Sequence, residues 1–233
     1  MVAVASGLEQ TTAVGERHAP VRVGLDGELR ALGALRAGGP GVPVAPVCCT
    51  WVCGAVALDV HDRGCTPGAE PGLEFETVLV RRLVHRYLGV VADAAAGRPV
   101  ARTWRLLLDP PPTPVSRRAL AGVGTLLGYD LTLAFASTCT LLGRDPGPPE
   151  RAAHGRVAAL LGGRARELVC RTGGPSDLAA AARLAGPARR EAARRRAECL
   201  WTLRGRPTEA EAERDALDQE AHAAALRQLA GEG

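Results

Sequence analysis

Residues 118–144 read RALAGVGTLLGYDLTLAFASTCTLLGR, and between the two terminal arginines the only charged residue is Asp130. The run is longer than the roughly 20 residues that cross a bilayer. Gly122, Gly124, Gly128, Thr125, Thr132, Ser137, Thr138 and Thr140 dilute its hydrophobicity, and neither an aromatic belt nor a second span accompanies it. A helix that is apolar all round belongs at the middle of a bundle. Residues 119–142 are therefore expected to form a central helix, buried on nearly all sides. Its glycines would let neighbouring backbones approach closely, where leucines would overpack. The expected neighbours are the helix at residues 73–96 and the segment around Cys48 to Cys53.

Outward from this run the helical period persists. Leu25, Leu29, Leu32 and Leu35 recur every three to four residues, and Gly38, Gly39 and Pro40 end that helix. Helices are expected at residues 44–60, 73–96, 101–108, 150–170, 176–186, 188–203 and from 208 to about 230. Thr208 and Glu211 have the spacing of a capping box at the last of these. Residues 62–72 and 143–149 are rich in Gly and Pro and read as loops; Pro110, Pro111, Pro112 and Pro114 form a rigid connector. Alternation of the β type does not persist anywhere. The fold class is all-α: one bundle of some eight or nine helices at residues 23–230, preceded by a flexible arm at 1–22.

The chain has 233 residues, of which 46% are hydrophobic, enough for one domain with a real core. Lysine, isoleucine and asparagine are absent, so all 29 basic residues are arginine. Their codons are AT-rich, which points to a GC-rich genome such as an actinomycete's. Arginine content is then weak evidence for nucleic-acid binding, and the net charge of +4 is modest. The densest run, Arg183 to Arg196, is interrupted by Glu191 and contains no aromatic, so it reads as a solvated helix face. The seven cysteines lack a C-x-x-C pair and read as small buried hydrophobes in a reduced, cytoplasmic protein. The first twelve residues lack the pattern of a signal peptide.

The sequence lacks a G-x-S-x-G elbow, a P-loop and an H-E-x-x-H motif. An aspartate-rich magnesium motif is missing too. Asp215, Asp218 and Glu220 form the nearest acidic cluster and read as a solvated face. No two of His18, His61, His85, His154 and His222 lie at helical spacing, and the cysteines lack zinc spacing. No metal and no other cofactor is expected. Glu74 and Glu76 read as first-turn acids favoured by the helix dipole, and His61-Asp62 as loop decoration.

Asp130 is the strongest chemical candidate, because a charged carboxylate in an apolar helix needs an arginine partner, hydrogen-bond donors or a raised pKa. Arg81, Arg82 and Arg86 are the candidate partners. His85 has a pKa suited to general base work at neutral pH, and Tyr87 lies beside it. Asp130, His85 and Tyr87 are the candidate catalytic residues; Trp51, Trp104, Tyr129 and Leu126 are the candidate substrate-binding residues. The three tryptophans, Trp201 included, are expected to wall the core or a cavity.

Four stretches carry a resemblance. They are Gly41-Val42-Pro43 before its helix; Phe75…Arg86-Tyr87-Leu88…Gly97-Arg98-Pro99-Val100…Trp104; Ala119-Leu120-Ala121-Gly122…Tyr129-Asp130-Leu131…Ala134; and Ala188-Arg189-Arg190-Glu191-Ala192…Ala197-Glu198-Cys199-Leu200-Trp201…Leu203-Arg204. In this order and spacing they resemble domain-of-unknown-function family 5995, found largely in actinobacteria. The resemblance spans roughly residues 25–229 and implies a helical fold without an assigned activity. The family's central helix reads like N-A-H-I-x-x-D-L; here the His position is Leu126. A His and an Asp four apart on a helix could ligate a metal or act as an acid/base pair. Leu126 can do neither, so no metal site is carried over.

Two functions remain open. One is a cytoplasmic, cofactor-independent enzyme of specialised metabolism. It would isomerise, cyclise or hydrolyse a hydrophobic small molecule held in a pocket inside the bundle. The other is a non-catalytic module for ligand or protein binding that has lost the family's site. A cavity at Asp130 would favour the first; a packed interior with a complete ion pair there would favour the second. Neither reading involves nucleic acid or a membrane, and both allow a homodimer.

Overall fold

The computed structural model describes residues 25–37, 44–65 and 72–232. The arm expected at 1–22, the Gly38-Gly39-Pro40 stop and the Gly41-Val42-Pro43 stretch lie outside these. Ten α-helical segments follow in order: α1 (Asp26–Arg36), α2 (Val44–Cys65), α3 (Leu73–Ala95), α4 (Arg102–Leu108), α5 (Val115–Thr125), α6 (Leu131–Leu142), α7 (Pro148–Thr172), α8 (Pro175–Leu184), α9 (Pro187–Thr202) and α10 (Pro207–Ala230). A π turn at Leu126–Asp130 joins α5 to α6 into one continuous helix, so the described residues form nine helices and no strand. The all-α expectation holds.

The α5–α6 helix is long and apolar enough to cross a membrane, yet 89% of its most apolar stretch is buried inside the protein. It is the axis of the bundle. The half formed by α5 packs against α2, α7 and α10, and the half formed by α6 against α3 and α9. The two expected neighbours, α2 and α3, are present, and α7, α9 and α10 complete the enclosure. In the interior Phe75 and Phe135 meet edge to face at 5.6 Å, surrounded by leucine, valine and alanine. Small side chains permit tight helix crossings: a Cβ on Gly162 of α7 would lie 2.7 Å from the Cβ of Ala185, just past α8, so only hydrogen fits there.

Proline sets the entry to the last four helices. Pro148, Pro175, Pro187 and Pro207 each open their helix, where the missing N–H would have had no intrahelical partner. This corrects the capping box expected at Thr208 and Glu211: α10 begins at Pro207, after Arg206, without a side-chain cap. Helix α2 also runs to Cys65, beyond the expected end at Val60. Arg63 in this extra turn pairs with Glu76.

Glu76 is more than a first-turn acid. Its side chain is fully buried and takes ion pairs from Arg63 of α2 and from Arg156 of α7, the latter at 2.8 Å. It ties three helices together, and both arginines keep part of their length in solvent. The cysteines divide: Cys48, Cys49, Cys53 and Cys139 are buried, whereas Cys65, Cys170 and Cys199 are exposed. The small-hydrophobe reading fits only the first four.

Candidate functional site

Asp130 closes the π turn, in which the Leu131 N–H donates to the Leu126 carbonyl five residues back. The turn adds one residue to the helix, which rotates the faces of α6 by about 100° relative to an uninterrupted α-helix. Thr132 Oγ1 donates to the Gly128 carbonyl at 2.9 Å, a back-bond of the kind that bends helices. The guanidinium of Arg189, from α9, lies over Gly128; a Cβ there would sit 3.0 Å from its Nη2. Glycine therefore lets the arginine lie close against the turn without crowding.

The Asp130 side chain is 0% exposed, and both of its oxygens have donors. Arg86 Nε, from α3, donates to Oδ1 at 3.2 Å, and Trp104 Nε1, from α4, donates to Oδ2 at 2.9 Å. Arg86 also places its guanidinium 5.7 Å from the ring centre of Tyr129. Burial nevertheless dominates over these stabilising partners and pushes the Asp130 carboxyl up to about 6. Nearby, burial raises the thiol of Cys53 well above its ordinary value, and the charge of Asp130 adds to the effect.

Trp104 is held by residues far away in sequence. Helix α4 has no side-chain cap from its own N-cap, Ala101. Asp218 of α10 supplies one instead. Its carboxylate accepts from the backbone N–H groups of Arg102 at 2.9 Å and Thr103 at 3.1 Å, and from Thr103 Oγ1 at 2.8 Å. An acid at a helix N-terminus satisfies orphan donors and suits the helix dipole. Asp218 is thus buried, which corrects the solvated face expected of it, whereas Asp215 and Glu220 are exposed. Through α4 it fixes the indole that Asp130 uses.

Tyr87 is fully buried, with its ring 5.6 Å from that of Trp104. Its hydroxyl donates to the Pro46 carbonyl and shares a 2.7 Å hydrogen bond with Thr50 Oγ1. Burial pushes its pKa far above the ordinary phenol value. Tyr129 is half-buried, and burial raises its hydroxyl to about 12. Leu126 is fully buried at the start of the π turn.

His85 points elsewhere. It is largely exposed and pairs with Glu28 of α1 at 2.9 Å, and Arg81 joins the same carboxylate at 3.0 Å. Of the three candidate partners for Asp130, the structure selects Arg86. Trp51 is half-buried against the core, and Trp201 is half-buried with the guanidinium of Arg204 stacked 3.6 Å from its ring centre. Among the seven candidates, then, Asp130, Trp104, Tyr129, Leu126 and Tyr87 gather around the π turn and α4, Trp51 packs at the edge of the same core, and His85 turns to Glu28. Among the described residues no three His, Cys, Asp or Glu side chains gather to hold a metal ion.

Sequence reasoning missed His154. It is buried to 1% exposure in α7, with its ring edge-on to Phe135 at 5.2 Å, and neither ring nitrogen has a hydrogen-bond partner. Burial lowers its pKa to about 4, and Arg194 contributes in the same direction. It also missed the division of labour in the arginine run. Arg194 binds Glu191 and Glu198, and Arg196 binds Glu213 and Glu220, so this is no simple solvated face.

A family model described as "Family of unknown function (DUF5995)" matches residues 75–230. No curated protein and no solved structure matches the chain.

Proposed function

Since the chain belongs to this family of unknown function, we propose that it is a non-catalytic helical binding module in which the polar centre of the fold serves as a scaffold. One observation carries this reading: the Asp130 carboxylate is fully buried, and each of its oxygens is already taken by a protein donor. A group that moves protons to or from a substrate must come within hydrogen-bond reach of it. Asp130 instead faces Arg86 and Trp104. Where a His and an Asp on one helix could share a metal, this chain has Leu126 and an aspartate neutralised by arginine.

The test needs no substrate. Carboxylates of the native protein are coupled to glycine ethyl ester with a carbodiimide, and the labelled positions are read by mass spectrometry. Asp130 is expected to stay unlabelled while exposed acids such as Glu209 and Glu211 react. Labelling of Asp130 at their rate would contradict the sealed scaffold.

A second reading rests on the raised pKa of Asp130. A carboxyl near 6 suits acid/base work close to neutral pH. On that reading the chain is a cofactor-independent isomerase, cyclase or hydrolase of specialised metabolism, and its interior must open to admit substrate. Turnover abolished by Asp130→Asn in a still-folded protein would establish it.

A further inference from the structure

A pocket of about 400 Å³ lies between α9 and α10, with Gly128 of the π turn in its lining. Arg189 and Gly128 form one end, and Ala193, Leu217 and Ala221 supply an apolar wall. The size falls in the range of small-molecule sites, roughly 300–1,000 Å³. Arg195 and Arg196 also line it, together with Glu213 and Glu220.

The arginines here are not equivalent. Arg196 spans Glu213 and Glu220 and is the ion-pair partner of both. Arg195 is mostly exposed and lies 3.7 Å from Glu191. Arg189 is half-buried, and among the described residues no carboxylate lies within ion-pair distance of it. Burial lowers its pKa, the charge of Arg227 acts in the same direction, and the more distant charge of Glu220 opposes them. A half-buried guanidinium without a carboxylate in direct contact is a costly arrangement. The three arginines and two glutamates that line the pocket leave one positive charge in excess, on a surface that is otherwise largely apolar.

We infer that this pocket is a binding site for a small amphipathic carboxylate, with its head on the Arg189 guanidinium and its apolar body along Ala193, Leu217 and Ala221. One unpaired planar fork matches the two oxygens of a carboxylate. The apolar wall beside the guanidinium suits a carboxylate that carries a hydrocarbon body better than a fully polar inorganic phosphate. Gly128 belongs to the site because a side chain there would crowd the guanidinium, which would have to shift by a few tenths of an ångström. This inference rests on the binding-module reading and names the ligand class.

Octanoate is the probe, and octanamide, of the same length but uncharged, is the control. Calorimetric titration at pH 7.5 is expected to give saturable one-to-one binding of octanoate and none of octanamide. Arg189→Met should weaken binding at least tenfold, and Arg189→Lys, which keeps the charge without the fork, by a smaller factor. Thermal melts of each variant without ligand establish that the fold is intact. Absence of saturable binding, equal binding of octanamide, or unchanged affinity in a folded Arg189→Met protein would overturn the assignment. Inorganic phosphate displacing octanoate at equal concentration would overturn the carboxylate class. The scaffold reading fails separately, through Asp130 labelling or Asp130-dependent turnover, neither of which depends on Arg189.

Discussion

Trp104→Ala is expected to destabilise the protein by about 3–5 kcal/mol, the range for removing a fully buried aromatic side chain. Two losses combine. Trp104 is 0% exposed and packs against Tyr87, so its removal leaves a void beside the central helix. It also donates to Asp130 Oδ2, and the acceptor stranded in the core accounts for about 1–3 kcal/mol of that total. Trp104→Phe separates the two effects. It keeps most of the packing and removes only the indole N–H, so its cost should fall to about 1–3 kcal/mol. Because that hydrogen bond favours the ionised carboxylate, the phenylalanine variant should also raise the pKa of Asp130 above 6. Chemical denaturation at pH 7.5 measures both costs, and a carbon-13 titration of the carboxyl reads the shift.

The second large effect concerns pH, and two buried groups oppose one another. Asp130 has its pKa raised by burial from 3.8 to about 6. The folded state therefore holds this proton more tightly than the unfolded state does. Its contribution to stability is complete below pH 4 and is lost as pH rises through 6. His154 has its pKa lowered by burial from 6.5 to about 4. Between these values the unfolded state binds the proton first, so stability is lost as pH falls. At about 1.4 kcal/mol per pKa unit, each effect reaches about 3 kcal/mol over the window. In the wild-type protein the two largely offset each other between pH 4 and 6.5. His154→Leu should unmask Asp130, and the variant should gain stability on acidification relative to wild type. Asp130→Asn should unmask His154 and lose stability over the same window. Denaturation midpoints taken from pH 4 to 7.5 measure these slopes; parallel profiles for the three proteins would show that neither group titrates as described.

The central helix was legible because its signal is local. A long run with one charge can only be a buried axis or a membrane span, and its small polar residues favoured the first. Helix ends were legible where glycine or proline punctuates the chain. The exceptions have physical reasons. The opening of α10 is set by the ring of Pro207 rather than by the hydroxyl of Thr208, and α2 continues because Arg63 finds Glu76.

The candidate site was legible only in part. Asp130 declared itself by being charged in apolar surroundings, and Arg86 was among its candidate partners by helical position. The π turn was not legible, since it coincides with a guanidinium from another helix resting on Gly128. Nor was Asp218, whose role is to cap a helix more than a hundred residues earlier in the chain. His85 has the same residue type and helix as a useful base would have, but it lies one position from Arg86 and turns to Glu28 of α1. His154 carried no sequence signal, because a histidine among alanines looks the same whether it faces solvent or Phe135.

A double-mutant cycle across Arg86 and Asp130 tests the central claim most directly. Arg86→Met should destabilise strongly, by about 3–5 kcal/mol, because it leaves a buried carboxylate without its counter-charge. Asp130→Leu leaves an arginine that is about one-third exposed and can turn to solvent, so its cost should be smaller. The double variant, with an apolar pair in place of the ion pair but the Trp104 indole N–H still without its acceptor, should recover part of the loss, giving a coupling of about 1–3 kcal/mol by equilibrium unfolding. It should also bind octanoate as the wild-type protein does. Additive single effects with no recovery, or loss of octanoate binding in a folded double variant, would contradict the account of Asp130 as a sealed scaffold.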